Sequence, residues 1–401
     1  MKTSHILRSV PVMALGAMLA IPAAAQLSLE SNGYFRAGPQ QTDKNSNRAC
    51  YQLSGSEFKY RLGNECDFYG EFLFTGNIKK DTGEQIKLVL MPNLYNGGTS
   101  TDGDTKLGMA QMYTEMKGLD FAPDVAFWGG KRYHRGADIH IVDTFFEKLD
   151  GTGAGASIPA LGGKLDLAVY RTDGSGALGA QQPGNRVNAW LRDVPALGGK
   201  VNVILNVVKG DFDGGKSGTA VSVRHTQAGV LGGDNNVWFQ MSQGSARMDG
   251  NFGTLTDGSD VKKFRIVDGL QFKLSDALGG QAIAMYQQNK ADAGDSTITT
   301  LGGRVSYALS RNFKLVSELG IDRVKPKDGS AANLTKLTIA PTLSAGKGFW
   351  DRPELRFYVT TAKWNDGANA AAVAAGKTGG LNGIDNKTSG TSYGVQAEIW
   401  W

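Results

Sequence analysis

The chain has 401 residues, 41% of them hydrophobic and 20% charged, with a formal net charge of +5. That near-balance gives no support to nucleic-acid binding, which calls for a concentrated basic surface. The mean hydropathy is −0.26 and no apolar run beyond residue 25 approaches the roughly 20 residues a spanning helix needs, so any membrane crossing must be made by strands.

In chain order, Lys2 and Arg8 precede an apolar run from Val10 to Ile21 and the small residues Ala23, Ala24 and Ala25. This is the pattern of a secretory signal, with cleavage expected after Ala25. Residues 26–401 are then expected to form one domain. Losing Lys2 and Arg8 leaves 41 of the 43 basic residues against 38 acidic ones, a balance of +3. The chain holds 55 glycines, about twice the ~7% average, as expected of many strands joined by tight turns. Composition alone fits a membrane barrel and a large soluble β protein equally.

From Leu27 to Gly38 the side chains alternate with period two: Leu27, Leu29, Phe35 and Ala37 on one face, Glu30, Asn32, Tyr34 and Arg36 on the other. Cys50 and Cys66 follow, suited to an oxidising compartment and close enough to staple one loop. Next, Asp67, Tyr69 and Glu71 alternate with Phe68, Phe72 and Phe74. In both strands a tyrosine travels with charge.

Further strands are predicted over 164–171, 201–208, 220–226, 237–242, 261–267, 281–288, 303–309, 314–321, 336–343 and 355–363. Turn clusters separate them at Asp213-Gly214-Gly215, Leu231-Gly232-Gly233-Asp234 and Leu278-Gly279-Gly280, with longer polar stretches over 97–104 and 366–390. Short turns alternating with long polar loops match the two ends of an outer-membrane barrel.

The stretch Trp128 to Gly155 breaks the rhythm, with Lys131, Arg132, His134, Arg135, Asp138, His140, Asp143 and Glu147 crowded around Tyr133, Phe145 and Phe146. It is either an exposed loop or one folded into a lumen. Its Gly151–Gly155 run lacks the Lys-Ser/Thr ending of a phosphate-binding loop. His134, His140 and Asp138 invite a metal or acid/base reading, but no third ligand with suitable spacing stands beside them. Carboxylate pairs are available in any chain this acidic, and no nucleophile elbow is present, so a hydrolase is disfavoured.

The last strand, Tyr393 to Trp401, sets Tyr393, Val395, Ala397, Ile399 and Trp401 against Gly394, Gln396, Glu398 and Trp400. An aromatic-capped amphipathic strand at the end of the chain suits the sealing strand of a closed barrel. Trp400 is the anomaly, an indole on the polar face.

Several stretches together resemble the maltoporin family of outer-membrane sugar porins. They are Lys59-Tyr-Arg-Leu-Gly-Asn-Glu-Cys66, Trp128-Gly-Gly-Lys-Arg132 with Asp138-Ile-His-Ile-Val-Asp143, Gly153-Ala-Gly155, Phe264-Arg-Ile-Val-Asp-Gly269, Arg352-Pro-Glu-Leu-Arg356 with Ala362-Lys-Trp364, and Ala397-Glu-Ile-Trp-Trp401. The resemblance implies an all-β, 18-stranded antiparallel transmembrane barrel, a homotrimer, and a third loop folded inward to constrict each pore. It implies passive passage of maltose or maltodextrin-type oligosaccharides and no cofactor, the runner-up being a general or other-carbohydrate, for example sucrose-type, porin. In that family an aromatic slide runs beside a track of charged residues. Carried over by position, Tyr34, Tyr69 and Trp400 match the slide and Arg36, Arg61, Glu71, Asp138 and Asp143 the track. Phe252 is a looser slide match, with Arg135 and Phe145 at the constriction.

The departures are specific. The loop Tyr95–Asp102 has no tryptophan, and Ile298 or Thr299 stands where a late slide tryptophan is expected. Phe145 replaces a tyrosine, Arg135 is displaced by one residue, and a track arginine is replaced near Met109. An interfacial girdle is the expected place for Trp401, Phe68, Phe72 and Trp128.

Overall fold

The computed structural model describes residues 25–44, 48–97, 105–173, 182–291 and 294–401. The signal expected over 1–25 lies outside them, apart from Ala25, whose backbone opens the first strand.

Eighteen antiparallel strands close into a barrel. They are β1 (Ala25–Ala37), β2 (Phe68–Lys80), β3 (Gln85–Asn96), β4 (Lys106–Lys117), β5 (Ala126–Arg132), β6 (Gly151–Ala160), β7 (Gly163–Thr172), β8 (Gly184–Ala196), β9 (Gly199–Gly210), β10 (Ser217–Val230), β11 (Gly233–Gly244), β12 (Lys262–Lys273), β13 (Leu278–Lys290), β14 (Ser296–Ala308), β15 (Phe313–Pro326), β16 (Ala332–Ser344), β17 (Glu354–Trp364) and β18 (Ser389–Trp400). Closure is made by β1 and β18, which pair Tyr34 with Trp400, Phe35 with Ile399 and Arg36 with Glu398. Gly38 lets the chain step past β18, since a Cβ there would lie 1.8 Å from the Val395 carbonyl. Gln40–Thr42 then resumes the pairing with Gly394–Ser392.

Alternation assigns the two faces. Along β17 burial switches at every residue: Leu355, Phe357 and Val359 are exposed, whereas Arg356, Tyr358 and Thr360 are buried. Outward apolar and inward polar side chains reverse the usual soluble pattern, as a lipid-embedded barrel requires. Phe68, Phe72 and Trp401 lie on the outer face as expected, with the Trp401 ring 6.0 Å from Phe72. Trp128 does not. It is 5% exposed inside the barrel, 5.7 Å from Tyr170 and under the Arg132 guanidinium, where packing and a cationic partner replace the membrane interface.

Two further expectations are corrected. Leu278-Gly279-Gly280 opens β13 and is no turn; Gly280 leaves room for the Phe272 ring, which would stand 2.6 Å from a Cβ. Gly151–Gly155 belongs to β6, where Gly155 admits the Trp128 indole at 2.8 Å from the position of a Cβ. Within the polar stretch 366–390 lies a helix, α1 (Asp366–Ala374), capped by Asn365, whose side chain accepts from Ala368 N at 3.1 Å.

The core is inside the barrel, built by loops that fold into it. The loop 43–67 carries the Cys50–Cys66 disulfide, a closure of this length being worth about 3 kcal/mol in the chain-entropy model. Its Tyr60 ring occupies space that Gly302 and Gly320 leave open, and its hydroxyl meets Thr300 at 2.6 Å. The loop 133–150 packs Ile139, Ile141 and Phe146 with Trp238 in the same cluster. The two loops join where Arg61 N donates to Ile141 O at 2.9 Å.

Candidate functional site

One wall of the lumen is formed by β1, β2 and β18, with β1 paired to both of the others. Register places Tyr34 beside Trp400 and Glu71, and Arg36 beside Glu398 and Tyr69. All six face inward, so the parity of the sequence put five of the predicted residues on one wall.

Their rings form a continuous file. Tyr69 and Tyr34 have centroids 6.3 Å apart, Tyr34 and Trp400 are stacked at 6.5 Å, and Trp400 lies 6.0 Å from Trp350. Trp350, followed by Phe349 at 4.9 Å, comes from the 345–353 turn between β16 and β17. Ile298, which stands where a late slide tryptophan is expected, is 4% exposed in the core. Tyr34, Tyr69, Trp350 and Trp400 are all half-buried.

Charged groups run alongside. Arg61 donates from Nη2 to Tyr34 Oη at 2.5 Å and from Nε to Glu65 at 2.7 Å, and its Nη1 meets His140 Nδ1 at 3.1 Å. Arg36 donates to Asp67 at 3.0 Å and also contacts Glu65. Both arginines are buried, at 7% and 5% exposure, so they orient the wall more than they present free donors. Glu398 joins Arg352 at 2.8 Å and Arg356, and the Arg352 guanidinium lies 3.9 Å over Trp400. One face of that indole is thereby fixed by a cation.

The inward loop supplies the facing groups. Tyr133 donates to Glu71 at 3.2 Å, and Tyr69 donates to the same carboxylate. Arg135 lies 3.5 Å over Tyr133 and 4.7 Å over Phe145, anchored to Asp150 at 2.8 Å. Asp138 and Phe145 pair across a two-residue ladder. Asp143, held at φ 56°, points its carboxylate toward Lys59 at 3.3 Å and toward Arg36 and Arg61 at 3.6 Å. Burial would raise the Asp143 carboxyl, but Arg61, Lys59 and Arg36 outweigh it and hold the group well below the usual carboxylate range. Asp138 has no ion-pair partner among the described residues, and burial raises it.

The two histidines do not converge. His134 bonds Asp166 at 3.0 Å and Tyr170 at 3.3 Å, while His140 is buried against Arg61, Trp350 and Trp400. Burial, reinforced by Arg61, drives His140 well below its ordinary value, so it is neutral and accepts from Arg61. Among the described residues, no group of three or more His, Cys, Asp or Glu side chains is arranged to hold a metal.

Phe252 stands apart. It lies under Arg186 at 4.9 Å and lines a 310 Å³ recess with Arg247, Lys263 and Arg265 at the long-loop end, making no ring contact with the file. Of the loop Tyr95–Asp102, residues 98–102 lie outside the described residues. Sequence reasoning missed Trp350, Arg352, Glu398 and Tyr133 as members of the site. Parity was the available signal for Glu398, which shares the Trp400 face.

Half-buried rings bordered by fixed carboxylates and guanidiniums can stack against an apolar ligand face while exchanging hydrogen bonds at its rim. Comparison with known proteins agrees with such a channel. A family model described as LamB porin matches residues 29–401. Among solved structures the chain is similar to Acinetobacter baumannii OccAB1, with 8% identity and a TM-score of 0.53, covering 93% of this chain and 96% of that one. It is also similar to Pseudomonas aeruginosa OccK2 (OpdF), solved in complex with glucuronate, with 9% identity, a TM-score of 0.51 and coverages of 93% and 97%. At such identities the likeness concerns the fold.

Proposed function

The chain belongs to the LamB porin family of outer-membrane barrels, and on that premise we propose that it is a passive, sugar-selective channel for maltose or maltodextrin-type oligosaccharides, working as a homotrimer. The observation that carries this reading is the unbroken file Tyr69, Tyr34, Trp400 and Trp350, with centroid spacings of 6.0–6.5 Å. A pyranose has apolar C–H faces and a hydroxyl rim. Successive rings offer stacking at regular steps, and Glu71, Asp143, Tyr133 and Arg135 border them as hydrogen-bond partners. A sugar advances by small exchanges, none of which binds it tightly enough to stop it.

In this reading Tyr34, Tyr69, Trp400 and Trp350 form the slide, and Glu71, Asp138, Asp143, Arg135 and Phe145 shape the constriction. Arg36 and Arg61 hold the carboxylates and Tyr34 in place. The test is ion current through purified protein in a planar bilayer, titrated with maltosaccharides. Concentration-dependent block is expected. Current indifferent to every sugar would defeat the selective reading.

A second reading, a channel for other carbohydrates such as sucrose, is favoured by the constriction chemistry, where Phe145 carries no hydroxyl and the Arg135 guanidinium is held over both it and Tyr133. Stronger block by sucrose than by maltose would select it.

A further inference from the structure

The leucines at the tips of the short turns take no part in the sugar path. Two of these turns share one sequence, Ala160-Leu-Gly-Gly-Lys164 and Ala196-Leu-Gly-Gly-Lys200, and a third reads Val230-Leu-Gly-Gly-Asp234. In each, both turn residues have positive φ: Leu161 at 50° with Gly162 at 75°, Leu197 at 54° with Gly198 at 72°, and Leu231 at 50° with Gly232 at 75°. Two-residue hairpins of this kind favour Asn, Asp or Gly at the first position, because a bulky L side chain there crowds its own backbone. The same three leucines are 73%, 84% and 56% exposed. A disfavoured backbone and an unburied apolar side chain coincide three times, and hairpin formation calls for neither.

Neighbouring turns extend the row. Phe121 in 118–125, Leu274 in 274–277 and Leu309 in 309–312 are also exposed. Six successive turns, from 118–125 to 309–312, therefore each present a large apolar residue. The row stops at both ends. The turn 81–84 reads Asp-Thr-Gly-Glu, and the turn 345–353 directs Trp350 toward Trp400. Along the same arc the strands expose Leu167, Val187, Val207, Phe239, Leu301 and Leu315 on their outer faces. The tips thus continue the lipid-facing belt past the strand ends.

We propose that this arc of turn tips is a membrane-interfacial surface, in which Leu161, Leu197 and Leu231, with Phe121, Leu274 and Leu309, dip into the headgroup and upper acyl region of the leaflet at the short-turn end. Apolar side chains beside a bilayer gain by entering that boundary, and the two-residue turns of Leu161, Leu197 and Leu231 are too short to fold back onto other apolar surface, while Phe121 meets Phe127 at 6.0 Å and still stays 76% exposed. Continuity with the lipid-facing belt selects lipid as the occupant over a water-soluble partner.

The test uses the whole protein in phospholipid vesicles. Its only cysteines, Cys50 and Cys66, are joined to each other, so a single introduced cysteine can be labelled specifically. Leu197→Cys and Leu231→Cys, with Thr82→Cys on the polar turn as reference, are each labelled with a polarity-sensitive fluorophore, and circular dichroism verifies the barrel first. The expected result for both leucine sites is blue-shifted emission, quenching by lipids brominated near the headgroup end of the acyl chain, and protection from aqueous iodide, with the opposite at Thr82→Cys. Iodide quenching equal at all three sites, without bromolipid quenching, would overturn the proposal and leave the arc free for a soluble partner.

Discussion

Two walls of the same lumen use the same side chains for different ends. On the wall of β14, β15 and β16, Arg304 donates to Glu318 at 2.7 Å, Glu318 accepts from Leu62 N at 2.8 Å, and Lys336 donates to Lys59 O at 2.6 Å. All three charged residues are at most 2% exposed, and Glu318 and Lys336 both meet backbone of the loop 43–67. On the wall of β1, β2 and β18, carboxylates and guanidiniums border rings that remain half-buried. Inward-facing charge is common to both. Loops reach both walls; what distinguishes them is what the charge leaves free, since on the first wall it is taken up in seating loop backbone, and on the second it borders rings that are only half-buried.

The sharpest break of this contrast is Glu318→Ala. It strands Arg304 and leaves Leu62 N unpaired in a buried site, a loss of about 3–5 kcal/mol by analogy with broken buried ion pairs. Lowered thermal stability of the purified protein and a larger, noisier conductance are expected, because the loop 43–67 loses its seat. On the other wall, Trp400→Ala should raise the sugar concentration for half-block roughly tenfold, equivalent to about 1.4 kcal/mol, with open-channel conductance nearly unchanged. Failure to assemble would mark Trp400 as structural. Trp350→Ala should weaken block by a few-fold, the order of a single aromatic contact of about 0.5–1.5 kcal/mol.

The smallest expected effect is on pH. Burial pushes the Glu147 carboxyl up to about 7, even with Arg224 at 3.1 Å. A raised acid favours the protonated loop seat. Its contribution is complete below the ordinary carboxylate value of about 4.3 and is lost as pH rises to about 7. Channel noise from the loop 133–150 should therefore grow over that window and level off above it, and Glu147→Gln should flatten the dependence.

How much of this was legible in the sequence follows from what period-two contrast can report. Tyr34, Arg36, Tyr69, Glu71 and Trp400 sit in strands whose neighbours are plainly apolar, so parity alone placed them inward. Five strands, β3 to β6 and β8, are absent from the sequence reading, although β8 does alternate, with Arg186, Asn188 and Trp190 inward and Val187 outward. β6 reads Gly-Thr-Gly-Ala-Gly-Ala-Ser-Ile-Pro-Ala, with few side chains large enough to mark a face, and β3 shifts register between Met91 and Pro92. Trp128 was assigned to the interface although it shares parity with Arg132, the cation that covers it inside the barrel at 5.1 Å. Trp350 was invisible for another reason. It lies in a turn, where alternation says nothing, and that turn is anchored by Arg352 to Glu398 at 2.9 Å and by Lys314 to Gly348 O at 2.8 Å.

The central claim is that Trp350 and Trp400 belong to one path along which a sugar chain is held. The most direct measurement is half-block of single-channel current by maltose and by a longer maltodextrin, in the parent protein and in Trp350→Ala. The longer chain should block the parent more strongly than maltose does, and that advantage should shrink in Trp350→Ala while conductance holds. An advantage that is absent from the parent, or untouched by Trp350→Ala, would contradict a continuous path.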